Sequence, residues 1–272
     1  MAPPAPSAIT NRRPILVFML VACGFSWGLW LLMIASARGY LPFRFPANPL
    51  GSFGPTLAAL LLVRRAGLHT SVGTFLRESL TQRVAARWIA AALLLPIALT
   101  GAAILAHRLA AGALPPLQAL DRVYLLPAVF VLILVLGGPG GEEFGWRGYV
   151  LPLLLRRWTP VAASLLLAAL WLLWHLPLFW LEGAAQEGGS IVVFGLTVAA
   201  ASVLFTWVYL HTAPSLVGVL LLHTSINVGG FVLPTVLPGV ADTTPFTVGL
   251  VSAFVLTAAL VTAADHRMRA RR

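Results

Sequence analysis

The passage GGPGGEEFGWRGYVLP, residues 137 to 152, sets Glu142, Glu143 and Arg147 between runs of Val, Ile and Leu. Ionisable side chains inside apolar spans are costly and tend to be functional, so these three are the first candidates for chemistry. Glu143 and Arg147 stand at i and i+4 with the acid first, the order in which the two pair on one helix face. Glu142 projects about 100° away, without that partner, and is the carboxylate left over for acid–base work. A second titratable group, His175, sits in LWLLWHLPLF. The stretch RRWTP at 156 to 160 reads as a tight turn, with Glu142 about 16 residues before it and His175 about 16 after it. An antiparallel hairpin brings the two to similar depth, and unlike titratable groups that meet in a buried place mark a candidate site. His223 and Asn227, four apart in LLLHTSINVGG, project from one face of a third helix. Hydrogen bonding between helices is the alternative reading of that last pair, and a structural ion cluster the alternative reading of the first three.

The elements that must position these residues are membrane helices. Of 272 residues, 59% are hydrophobic and only 10% charged, and the mean hydropathy is +0.91. A spanning helix needs about 20 mainly apolar residues. Apolar runs predict spans near 14–36, 49–63, 88–110, 121–155, 160–181, 190–210, 214–233 and 245–264. The expected fold is therefore all-α, a polytopic bundle of about eight transmembrane helices. One transmembrane domain is expected over 14–266, between an N-terminal tail at 1–13 and a basic tail at 267–272. The run 121–155 is too long for one straight crossing of about 30 Å. Its break is expected at GGPGG, where Pro139 removes a donor and the glycines relax the backbone. Glu142 and Glu143 then fall in the first turn of the new half-helix, near its positive dipole end.

The formal charge of +10 comes with 18 basic residues, all of them Arg. They lie in small groups between spans, which reads as membrane topology and not as a nucleic-acid-binding face. Arg12 and Arg13, Arg64 to Arg87, Arg156 and Arg157, and Arg267 to Arg272 all fall on one side of an eight-crossing path. Both termini are accordingly expected in the cytoplasm, in a multi-pass protein of the cell membrane. The segment HTSVGTFLRESLTQRVAARW, 69–88, is expected to be amphipathic and to lie on that surface. LVAC at 20–23 and ASA at 35–37 resemble processing signals, but the apolar run continues past both, and an uncleaved first helix is expected. The lone Cys23 excludes an intrachain disulfide and any multi-Cys metal site. His69, His107, His211 and His266 fall at span ends, where interfacial solvation accounts for them.

Taken together, Glu-Glu-x-x-x-Arg at 142–147, an aromatic-x-x-x-His at 171–175 and His-x-x-x-Asn at 223–227 resemble the motifs of the CPBP family. This family contains the type II CAAX prenyl proteases and bacteriocin-processing relatives, also called the Abi family. The resemblance covers roughly residues 120–232. Trp171 stands where the second motif most often has Phe. The resemblance implies an intramembrane endopeptidase built as an eight-helix bundle around a polar cavity. It implies that Glu142 and His175 hold and activate a water, that His223 and Asn227 bind the oxyanion of the tetrahedral intermediate, and that Glu143 and Arg147 organise the site.

These residue types suit peptide hydrolysis. A carboxylate held among apolar helices is a stronger base than one in water, and an amide and an imidazole can donate to developing negative charge. Ser225 is adjacent to His223, and adjacent helical residues point apart, so direct attack by water is favoured over a serine nucleophile. Glu142, His175 and His223 could instead be three ligands of a catalytic zinc. With no thiolates and no HExxH pair, the metal-independent mechanism is favoured, and no cofactor is required. An ion-coupled transporter also uses broken helices and midplane carboxylates, but no internal repeat is visible. A non-catalytic scaffold would account for Glu143 and Arg147, but not for Glu142 level with His175. The expected partners are the lipid bilayer and a membrane-associated peptide or protein substrate.

Overall fold

A computed structural model describes residues 13–45, 49–112, 124–236 and 244–270, with side chains of α10 below described as far as Gly229. The expected tail at 1–13, all but its last residue, and Arg271 and Arg272 lie outside the described residues. Among the described residues every regular element is helical: α1 (Arg13–Ala37), a 3-10 turn (Pro49–Phe53), α2 (Gly54–Leu62), α3 (Val72–Thr81), α4 (Ala86–Ala111) and α5 (Leu126–Leu136). There follow α6 (Pro139–Gly145), a π turn (Trp146–Val150), α7 (Leu151–Leu155), α8 (Pro160–His175) with a 3-10 extension (Leu176–Trp180), α9 (Ile191–Thr212), α10 (Val217–Val236), α11 (Thr244–Ala264) and α12 (His266–Arg269). A helix meets its backbone hydrogen bonds internally, the condition that lipid imposes on a spanning segment.

The chain is a multi-pass membrane protein. Among the described residues α1, α4, extended α8, α9 and α11 are each long and apolar enough to cross a bilayer, and α5 with Pro139–Leu155 forms a sixth, bent span. The other two expected spans appear as shorter apolar helices, Pro49–Leu62 and Val217–Gly229, although α10 itself continues to Val236. The count of eight is thus six by length and two shorter. Leucines such as Leu20, Leu94, Leu109 and Leu260 are two-thirds or so exposed on the outer faces, as suits a bundle whose solvent is lipid. Inside lie the largest rings, Trp146, Trp174, Tyr149, Phe18 and Phe75, almost wholly buried.

The break in the long run falls where Gly137 and Gly138 stand. α5 ends as the Gly137 N–H bonds the Ile133 carbonyl at 2.9 Å. Gly138 then takes φ +114°, a region that side chains avoid. Pro139 opens the next helix at its first position, where a missing N–H costs nothing. The two segments meet at 43°. In the second segment the π turn ends just before Pro152, which has no N–H for the carbonyl four residues back. Such turns often mark functional sites.

Close backbone approach holds α6 against its neighbour. A Cβ on Gly141 would meet the Ser52 carbonyl oxygen at 2.5 Å, and one on Gly145 would meet that of Pro55 at 2.5 Å. Glycines four apart let two backbones touch, the small-residue packing of membrane helices. Thr56 Oγ1 donates to the Gly140 carbonyl across this contact at 3.1 Å.

The hairpin expected from RRWTP is present. Arg156–Thr159 turns the chain, and Thr159 caps α8 by accepting from the Ala162 N–H at 3.4 Å. Ser202 Oγ donates to the Ser164 carbonyl at 2.9 Å and ties α9 to α8. Of the expected amphipathic segment 69–88, Val72–Thr81 forms α3, with Phe75 and Ser79 turned inward. The Ser79 carbonyl accepts the Leu216 N–H at 2.8 Å, so α3 braces the start of α10. At the far end of α11, Asp265 caps α12 through the Arg267 N–H at 2.9 Å. It also accepts from the Trp207 indole at 3.1 Å and contacts His211 Nε2 at 3.0 Å. His211 Nδ1 faces the Trp207 carbonyl at 2.9 Å, so both ring nitrogens face acceptors. Interfacial solvation therefore does not describe His211, which clamps α12 to α9. Cys23 is free and half-buried against the core.

Candidate active site

Three helical segments deliver the expected residues to one buried cluster. The segment starting at Pro139 supplies Glu142, Glu143 and Arg147, α8 supplies His175, and α10 supplies His223 and Asn227. Glu143 and Arg147 are fully buried, while Glu142, His175 and His223 are each no more than 6% exposed.

One half of the cluster is a charge network. Arg147 Nη1 donates to Glu143 Oε1 at 2.9 Å, the i to i+4 contact that one helix face allows. The same oxygen is 2.7 Å from His223 Nδ1. A carboxylate accepts, so His223 carries its proton on Nδ1 and turns Nε2 away from Glu143. The guanidinium lies between two rings, 4.5 Å from the centroid of Trp171 and 4.3 Å from that of Phe205. Cation–π attraction compensates part of its desolvation, since Arg147 Nε and Nη2 have no hydrogen-bond partner. Glu143 Oε2 is likewise buried without one.

Glu142 faces elsewhere. Its Oε2 accepts the Trp171 indole N–H at 2.6 Å, a partner on another helix that spacing along its own helix could not indicate. Its Oε1 points at the helix break and lies 2.7 Å from where a Cβ on Gly138 would stand. Asn227 Nδ2 is 3.5 Å from that same point. Glycine at 138 therefore serves both the left-handed backbone and the room between Glu142 and Asn227. Asn227 Nδ2 donates one hydrogen to the Gly137 carbonyl at 3.1 Å, and among the described residues the second amide hydrogen has no partner.

No hydrogen bond joins Glu142 directly to His175 among the described residues. They are linked through Trp171, whose carbonyl faces His175 Nδ1 at 2.8 Å. A carbonyl can only accept, so Nδ1 carries the proton and Nε2 presents a lone pair. The ring of His175 rests edge-on against Trp174 at 4.7 Å and Phe194 at 5.1 Å. α1 fixes that end of α8 twice, as the Trp27 indole donates to the Trp174 carbonyl and the Trp174 indole donates to Ser26 Oγ, each at 2.8 Å.

As placed, Glu142, His175 and His223 do not form a three-ligand metal group, and among the described residues no other three His, Cys, Asp or Glu side chains do.

This geometry falls within the part of the chain that matches known proteins. Residues 124–229 match the family described as Type II CAAX prenyl endopeptidase Rce1-like. Over these residues the chain is similar to the CPBP family. CAAX prenyl protease 2 of Methanococcus maripaludis is similar to this chain, with 32% identity over 108 residues, 38% of this chain and 39% of that protein. The chain thus spans about two fifths of the relative's length, and the matched residues 124–229 include all six residues above. Sequence reasoning missed three participants in this core: the Trp171 N–H, the Phe205 ring and the Gly137 carbonyl. Only Trp171 left a signal, because a tryptophan one turn before a buried histidine brings an N–H that must find an acceptor.

Proposed function

We propose that this chain is an intramembrane endopeptidase that hydrolyses a peptide bond of a membrane-associated protein or peptide. The observation that carries the reading is the division of labour between adjacent carboxylates. Glu143 is paired with Arg147 and accepts from His223, while among the described residues Glu142 keeps one oxygen unbonded and turned toward Gly138 and Asn227. Two carboxylates with different surroundings take different roles.

In this mechanism a water sits between Glu142 Oε1 and His175 Nε2, which accepts its second hydrogen. Glu142 takes one proton as the water oxygen attacks the scissile carbonyl carbon. The carbonyl π electrons move to oxygen, and the unused Asn227 N–H donates to that oxyanion. His223 adds a second donor through Nε2 when doubly protonated, with Glu143 carrying the opposing charge. Collapse of the intermediate breaks the C–N bond, and Glu142 returns the proton to the leaving nitrogen. The closed, dry surroundings strengthen each of these interactions. The membrane domain spans 14–266 with the protease core at 120–232, in the cell membrane, and both termini face the cytoplasm because the Arg groups share one side. Reporter fusions at each end check that orientation, and an exterior C-terminus contradicts it.

The direct test is Glu142→Gln, which keeps the shape and removes the base. Purified protein in lipid bicelles, incubated with a library of membrane-anchored peptides, should cleave at least about a hundredfold more slowly than wild type, the usual loss for a general base. Retention of more than about a tenth of wild-type rate rejects Glu142 as the base.

A further inference from the structure

We propose that Trp171 is a positioning residue that aims both Glu142 and His175 at one water, an inference that rests on the endopeptidase reading above. One residue contacts the pair from both ends. Its indole N–H holds Glu142 Oε2 at 2.6 Å, and its carbonyl holds His175 Nδ1 at 2.8 Å. With Oε2 occupied, Oε1 is the oxygen left to meet water, and it is the one turned toward Gly138 and Asn227. With Nδ1 occupied, Nε2 is the nitrogen left to accept. The carboxylate's rotation and the imidazole's tautomer are thus set from a single position.

The surroundings keep Trp171 from adopting another orientation. It is 5% exposed. Its ring lies 4.5 Å from the Arg147 guanidinium carbon, and meets Phe205 at 5.8 Å and His223 at 5.6 Å between centroids. Every charged or titratable member of the cluster except Glu143 therefore touches Trp171 or bonds to it. Phenylalanine at this position keeps an aromatic face against Arg147 and keeps the carbonyl bond to His175, but it has no N–H. Glu142 is then free to rotate, and the aligned fraction of the base falls.

Trp171→Phe isolates that N–H. In bicelles with a cleaved peptide from the library, kcat should fall about tenfold, the scale of one hydrogen bond to a charged group, with KM within about twofold and the protein still folded at the assay temperature. In a Glu142→Gln background the same change should lower the residual rate no further, because the bond has lost its charged acceptor. A Trp171→Phe enzyme with wild-type kcat overturns the proposal even if Glu142→Gln abolishes cleavage. If Glu142→Gln cleaves normally, the endopeptidase mechanism has failed instead, and the hydrogen bond is still decided by spectroscopy. The indole 15N–1H resonance that disappears in Trp171→Phe should move when Glu142 becomes Gln or Ala. An unmoved resonance overturns the contact itself, and should Trp171→Phe not fold, a Glu142 change that moves none of the indole resonances overturns it equally.

Discussion

Arg147→Ala tests whether the Glu143–Arg147–His223 network holds the bundle together. Arg147 and Glu143 are both fully buried, with a single hydrogen bond of 2.9 Å between them. Removing one partner of a buried ion pair costs about 3–5 kcal/mol, because the other charge is stranded. Glu143 retains His223 at 2.7 Å, which places the electrostatic loss near the lower figure. The two ring contacts of the guanidinium, at 4.5 and 4.3 Å, each contribute about 0.5–2 kcal/mol. The expected destabilisation is therefore about 4–7 kcal/mol. Equilibrium unfolding in bicelles titrated with a denaturing detergent, followed by tryptophan fluorescence, reads it. Arg147→Met combined with Glu143→Gln should recover much of the loss, since both charges then leave together and an apolar stem fills the space between Trp171 and Phe205. An Arg147→Ala protein within about 1 kcal/mol of wild type, or a double variant no better than the single one, refutes the reasoning.

Asn227→Ala should lower kcat by about two to three orders of magnitude with little change in KM, the signature of a donor to transition-state charge. His223→Ala should act in the same direction, and the double variant should cost far less than the product of the two losses. Metal analysis accompanies this pair: stoichiometric zinc in the wild type that disappears with activity in His223→Ala would replace the metal-independent mechanism with one in which His223 is a ligand. At the other end of the bundle, burial pushes the Asp265 carboxyl up, but the Arg267 N–H, His211, the Trp207 indole and His266 together hold it below the ordinary aspartate value of 3.8. A depressed carboxyl stabilises the fold above the ordinary value and stops doing so as pH falls through the folded one. Protection factors at residues 266–270, with the intrinsic pH dependence of exchange divided out, should therefore be flat from neutral pH down to about 4 and fall only below it. A fall beginning well above that pH, or the same acid fall in Asp265→Asn, contradicts the clamp.

Much of this architecture was legible before any coordinates because it depends on local pattern. Apolar run length located the long apolar helices, since lipid demands about 20 apolar residues with internal hydrogen bonds. The GGPGG break, the turn before Pro160 and the Glu143–Arg147 pair are likewise short-range, set by backbone chemistry or by helical spacing within a few residues. The crossing capacity of Pro49–Leu62 was overread, because hydropathy reports composition and says little about a 14-residue helix packed backbone to backbone against α6. What the tertiary structure alone decided is which atoms meet across helices. Helix rotation and depth set Glu142 against Trp171 instead of directly against His175, and they brought His223 to Glu143. They also turned Asn227 to the broken end of α5. Those contacts join residues 29 to 90 positions apart, and a hydrogen bond depends on tenths of an ångström and tens of degrees. Periodicity along one helix carries no information at that precision about where a neighbouring helix will stand.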